Sequence, residues 1–298
     1  MRLPAAPSLL AAAALAVSLA GCGRAPAPAA AAAAPAERRY PLTGEVVSAD
    51  VAHTTLVVRH DAIPGYMPGM TMDFPVSAGD AANARPGERI RAQLVIDAAG
   101  NGRLESIWPD DKAARDTVDA AAKMLRQDTT AKGGSAYREV GDAIPEFVLY
   151  DQDGRVVQSG RFRGRQVMLN FIYSRCPIAN MCPLSTTKMV ETQKLAKAAG
   201  VPNVEFVSIT LDPAYDTPGV LREYAGARGI DTANFSFLTG PEAAIRDLLT
   251  QFGVIAQFRG NFLDHTLSTL LIDEQGRVAW RADGGDWDPK EFVQRMRR

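Results

Sequence analysis

Residues 166–173, QVMLNFIY, are apolar almost without interruption, and residues 204–211, VEFVSITL, repeat the pattern. A strand with apolar side chains on both faces must be covered on both faces, as in a mostly parallel sheet flanked by helices. Helix signals lie between and after these runs. Ser185 caps a helix expected to run to about Ala199, where Gly200 stops it. Thr217 with Pro218 opens another that ends near Gly229, and residues 240–253 carry a third. The strands STLLID and RVAWRA flank the turn Glu274-Gln275-Gly276, and Asp288-Pro289 opens a last helix. From about residue 138 to 298 the order predicts an α/β sandwich.

The chain before this region follows a different rule. Residues 40–108 hold five short β-rich runs: GEVVSAD, TTLVVRH, Met70 to Val76, ERIRAQLVID and GRLESI. Turn signals at 61–69, 78–87 and 98–102 separate them, and no helical period intervenes, which predicts a small all-β five-stranded barrel. Asp110 to Asp128 is rich in Ala and charged residues, with Val118, Ala121, Ala122 and Leu125 at helical spacing. A connecting helix is expected there, within a linker spanning 109–137. TTAKGGS at 129–135, with Gly133 and Gly134, reads as a hinge-like break. A chain of 298 residues accommodates these two domains.

The first residues set the compartment. Met1 and Arg2 precede an apolar run from Leu9 to Ala20 that ends in Leu19-Ala20-Gly21-Cys22. A charged start, an apolar middle and small residues before a cut are the parts of a secretory signal peptide, too short for a membrane-spanning helix. The terminal string resembles the bacterial lipobox, which implies cleavage after residue 21 and a lipid on Cys22. Residues 23–39 begin with a Pro/Ala tract that has nothing to bury and reads as a tether. The expected product is exported and lipid-anchored to a bacterial membrane facing the periplasm, and Gly23 after the Cys favours the outer membrane by the sorting pattern. Lys and Arg number 33 against 34 Asp and Glu, so no basic excess points to nucleic acid.

With Cys22 assigned to the lipid, two of the three cysteines remain, in the string FIYSRCPIANMCPLS. Cys176 and Cys182 sit between a strand end and a helix start, the crevice where α/β sheets carry their chemistry. A helix N-terminus favours thiolate, the form that attacks disulfides and binds metal. A local disulfide, a redox pair and a metal site all remain open at this point.

Cys176-Pro177, Cys182-Pro183, Leu211-Asp212-Pro213 with Asp216-Thr217-Pro218, and Asp264-His265 before STLLID resemble, in order and spacing, the Sco/SenC family of copper proteins. The resemblance covers about residues 138–298 and implies a thioredoxin-like fold. It also implies copper ligation by Cys176, Cys182 and His265, with delivery to the copper A centre of cytochrome c oxidase. Soft Cu(I) prefers thiolates, and one imidazole completes a three-coordinate site. The loop between the cysteines is longer by two residues than the family's usual one. Asp212 and Asp216 fit either an orienting role beside the site or ordinary capping and turn formation.

In the first domain His60 lies seven residues before Met67, with Met70 and Met72 following. In a strand Met70 and Met72 share one face, which serves core packing and also lets two thioethers point at one ion. The segment resembles the CusF-like periplasmic copper proteins, with Met67 in place of that family's Trp. The resemblance implies Cu(I) at His60, Met70 and Met72, with Met67 or Tyr66 taking over the role of the Trp. Together the two modules lead to a copper chaperone. A thiol-disulfide oxidoreductase using Cys176 and Cys182, and a copper buffer or resistance protein, are the alternatives.

Overall fold

The computed structural model describes residues 37–133, 137–259 and 262–296. Strands β1 (Arg38–Asp50), β2 (Thr55–His60), β3 (Met70–Pro75), β4 (Arg89–Ile96) and β5 (Gly102–Pro109) form one antiparallel sheet in the order β3-β2-β1-β4-β5. β3 and β5 approach each other and curl the sheet into the expected barrel. Alternation along the strands buries Leu42, Val46, Leu56, Val58, Phe74, Leu94 and Leu104 inside it. A bulge between Val46 and Ser48 puts Val47 out into solvent and bends β1, as closure of so small a barrel requires. The segment 78–87, read above as a turn, holds a short helix α1 (Ala78–Asn83), capped by Ser77 on the Asp80 N–H.

Helix α2 (Lys112–Lys132) is capped by Asp111 and ends at Gly133, whose φ of 86° lies in the region open to glycine. It runs four residues further than the hinge-like reading of 129–135 allowed. The hydroxyls of Thr129 and Thr130 donate to the carbonyls of Leu125 and Arg126, so both threonines satisfy themselves within the helix. Gly134 lies outside the described residues.

The second part begins with a small hairpin, β6 (Val148–Tyr150) and β7 (Val156–Gln158). There follow β8 (Gln166–Ile172), α3 (Cys182–Ala198), β9 (Val204–Thr210), α4 (Pro218–Ala227), β10 (Phe235–Leu238) and α5 (Glu242–Gln251). A second hairpin of β11 (Ala256–Arg259) and β12 (Phe262–His265) precedes β13 (Ser268–Ile272), β14 (Val278–Asp283) and α6 (Pro289–Met296). The sheet order is β10-β9-β8-β13-β14, with β8, β9 and β10 parallel and β13 antiparallel to both neighbours. This is the thioredoxin-like arrangement, and the central β8 and β9 are buried along almost their whole length.

Two local expectations change. Helix α3 starts at Cys182, not after Ser185. Pro183 in the first turn lacks an N–H that would need a cap, and Ser185 turns inward to accept a bond of 2.8 Å from Asn170 Nδ2. Thr217 is the backbone N-cap of α4, but its hydroxyl makes no capping bond.

The barrel is docked on the thioredoxin-like part. Helices α1 and α4 touch through backbone: a Cβ on Gly79 would meet the Gly219 carbonyl oxygen at 1.9 Å. Asn83 donates to the Gln152 carbonyl at 2.8 Å, and Arg222 bridges Asn83 and Asp153. On the other side α2 lies against α5, with Arg126 on buried Asp247 at 2.8 Å and Gln251 donating to Asp128.

Candidate metal centre

The chain leaves the sheet at Ile172, passes Cys176 on the connecting loop, and enters α3 with Cys182 as its first residue. His265 ends β12 and arrives from the opposite side. One ligand atom each from Cys176, Cys182 and His265 lies within 4.8 Å of the others, the only such cluster of Cys, His and carboxylates among the described residues. Both thiols are unbridged, and the longer loop does not prevent convergence.

The histidine is oriented for ligation. Its Nδ1 lies 3.0 Å from the Thr266 carbonyl, which can only accept, so the ring proton sits on Nδ1 and the Nε2 lone pair is left over. That Nε2 is 3.3 Å from Cys182 Sγ. Burial holds the His265 pKa below the ordinary imidazole value, against the opposing Thr266 carbonyl, which keeps the ring neutral and metal-ready. Tyr173 meets the ring edge-on at 5.5 Å.

Burial, reinforced by Cys176 nearby, pushes the Cys182 thiol well above its usual range. The helix N-terminus was expected to favour thiolate, but burial wins: a terminal dipole contributes about 0.3–1 kcal/mol, while full burial shifts a pKa by up to about 3–5 units. Cys182 is fully buried and Cys176 half-buried. Without metal the pair is therefore a poor nucleophile at its inner sulfur, and a thiophilic cation that displaces the proton is the natural partner.

Sequence reasoning left the two aspartates open, and the structure gives each a place. Asp216 is wholly buried and accepts from the Ser174 N–H at 3.1 Å, from the Ser174 hydroxyl, and from Thr210 Oγ1 at 2.6 Å. It thereby ties the start of the cysteine loop to the end of β9, and burial raises its pKa to about 6. Asp212 pairs with Arg175 at 2.8 Å, and that guanidinium lies 4.5 Å over the ring of Tyr215. Arg175 and Tyr215 carry no sequence signal that would have singled them out.

In the barrel, His60 is the last residue of β2 and stands directly opposite Met70, the first of β3. Met72 is two residues on, opposite Val58, so His60, Met70 and Met72 share one face of the strand pair at one end of the barrel, with His60 buried, Met72 half-buried and Met70 exposed. His60 repeats the device of His265: Nδ1 bonds to the carbonyl of the following residue at 2.8 Å, while Nε2 is buried without a partner. An orphaned imidazole lone pair on the same face as two thioethers fits a soft monovalent ion. Met67 packs half-buried against the barrel core. Tyr66 is stacked on Tyr40 at 4.3 Å and covered by Arg38, so its ring is already engaged.

This is a thioredoxin-like metal-binding protein carrying a second, barrel-borne donor set. Residues 135–298 match the family model described as SCO1/SenC, and residues 39–109 match that of the copper binding periplasmic protein CusF. An SCO2-like protein of Rickettsia conorii is 32% identical over 159 residues, covering 51% of this chain and 74% of the relative. The SCO1 protein homolog of Bacillus subtilis is 31% identical over 154 residues, 50% of this chain and 78% of its own length. A SCO1/SenC family lipoprotein from Bacillus anthracis aligns with a TM-score of 0.50 at 26% identity, over 55% of this chain and 98% of that one. The chain belongs to the SCO1/SenC family, fused to an N-terminal CusF-like domain, and its metal is copper.

Proposed function

We propose that this protein is an exported, membrane-anchored copper chaperone that holds Cu(I) at Cys176, Cys182 and His265 and delivers it to a cuproenzyme. The observation that carries the reading is the convergence of two unbridged thiols and a bare imidazole Nε2 within 4.8 Å. Two thiolates and one imidazole satisfy Cu(I) in three-coordinate form and leave a side open for an incoming ligand of the recipient. By family resemblance the recipient is the copper A centre of cytochrome c oxidase. His60, Met70 and Met72, with Met67 alongside, form a second Cu(I) site in the barrel.

Cys22, proposed as the lipid attachment point, lies outside the described residues. No helix among the described residues is long and apolar enough to cross a membrane. The placement facing the periplasm follows from the signal sequence, and the outer membrane from Gly23. A dedicated thiol-disulfide oxidoreductase is disfavoured, because five residues separate Cys176 from Cys182 and the pair lacks the Cys-x-x-Cys spacing of dedicated thioredoxins.

The test is Cu(I) titration of the reduced protein against a chromophoric chelator, followed by an oxidase assembly assay in cells lacking the gene. Two ions per chain and loss of the copper A signal are expected. Intact oxidase with lowered copper tolerance would instead assign a copper buffer.

A further inference from the structure

A cleft of about 460 Å³ lies where the barrel, α2 and the thioredoxin-like part meet, away from both donor sets. Arg91 and Trp108 reach it from the barrel, Arg115 from α2, and Tyr150 and the start of α5 from the other side. The Tyr150 side chain is 2% exposed, and its hydroxyl has no hydrogen-bond partner. Its ring packs edge-on against Trp108 at 5.9 Å. Arg91 lies over the same Trp108, 5.2 Å from the ring centroid, with its Nε buried and unpartnered.

These are donors without acceptors. The neighbouring arginines take the nearby carboxylates: Arg89 pairs with Asp61 and Arg115 with Asp110, each at 2.6 Å. Arg91 is left with an aromatic face. Helix α5 adds a third donor set, since Pro241 caps its ten-residue span without any side-chain bond to the first-turn N–H groups. Two acidic side chains stand at the rim. Glu242 is 70% exposed and turned to Arg246 at 2.7 Å, and Asp119 is exposed on α2. Burial raises the Tyr150 pKa, so the phenol stays a proton donor.

We infer that this cleft binds a small oxyanion, a carboxylate or phosphate, between Arg91, the Tyr150 hydroxyl and the N-terminus of α5. The ligand would accept the bonds that the protein leaves unmade. Because its donors come from both domains, the bound anion would also fasten the barrel to the thioredoxin-like part.

The test uses the whole soluble chain in buffer free of oxyanions, with chloride matching ionic strength in every arm. Inorganic phosphate and acetate are each titrated by calorimetry and by thermal unfolding. One or both should bind the wild type and raise its unfolding midpoint, phosphate alone identifying a tetrahedral anion and acetate alone a carboxylate. Arg91→Gln should weaken binding at least about tenfold, the loss of one charge-assisted contact. Tyr150→Phe, which removes a single oxygen, should be at least as stable as wild type without the anion and less stable with it. The inference is overturned if neither anion binds the wild type, if both variants bind as wild type does, or if Tyr150→Phe is already less stable in anion-free buffer.

Discussion

Cys182 Sγ and His265 Nε2 stand 3.3 Å apart, one at the first residue of a helix and the other at the last residue of a hairpin strand. Neither element alone makes a site, and the pair brings together a thiol that burial keeps protonated and an imidazole that burial keeps neutral. Replacing either Cys182 by Ser or His265 by Ala should lower Cu(I) affinity at this centre by at least about 100-fold, beyond the range for outer-sphere changes. Chelator competition in a His60→Ala background isolates the effect.

The barrel site is tested in the complementary background, Cys176→Ser with Cys182→Ser, in the full chain. One Cu(I) should remain, with sulfur and nitrogen scatterers in its X-ray absorption spectrum. His60→Ala should abolish it, because the orphaned Nε2 is the only imidazole facing Met70 across the strand pair.

Asp216 holds Ser174, two residues before Cys176. Asp216→Ala leaves buried donors unpaired, a cost of about 1–3 kcal/mol, measurable by urea unfolding. It should also weaken copper about 10–100-fold without touching a ligand, since the loop start is released.

Asp80 is buried between α1 and α4, and desolvation raises its pKa from 3.8 to about 6, with Glu223 adding to the rise. A raised carboxylate binds its proton more tightly folded than unfolded. Its favourable contribution is therefore complete below pH 3.8 and is lost as the pH climbs through about 6. Asp80→Asn should stabilise the protein above pH 6 by roughly 2–3 kcal/mol, and the gain should vanish near pH 4. Urea unfolding at four pH values follows it.

A Cβ on Gly219 would lie 2.0 Å from Asp80 Oδ1. Gly219→Ala should cost about 1–3 kcal/mol of stability and loosen the barrel, seen as faster hydrogen exchange in α1.

The thioredoxin-like half was legible because β8 and β9 are continuous apolar runs and because Pro218 and Pro289 mark helix starts. The barrel was legible from alternation in β1, β2 and β4. What the sequence hid is what depends on partners. Helix α1 is six residues long and is held by α4, and the β11–β12 hairpin has four-residue strands with Ile255 and Phe258 exposed, so neither shows a period. Ser185 has the composition of a cap, but Asn170 beneath it decides its direction. The candidate ligands were picked out by motif, whereas the carbonyls that orient both histidines belong to backbone and leave no trace in composition.

The Gly79–Gly219 contact also bears on the order of reaction. A flexible tether gives two sites a high effective concentration for one another, but only if they can meet. Here the barrel is fastened at α1 and again through α2, and His60 lies outside the Cys176–Cys182–His265 cluster. If the two proposed donor sets are held apart in this way, copper moving from one to the other leaves the first before it reaches the second, or passes between two molecules. An exchange rate that rises with protein concentration would mark transfer between two molecules, and one that does not would mark release and recapture, although both proposed sites belong to one chain.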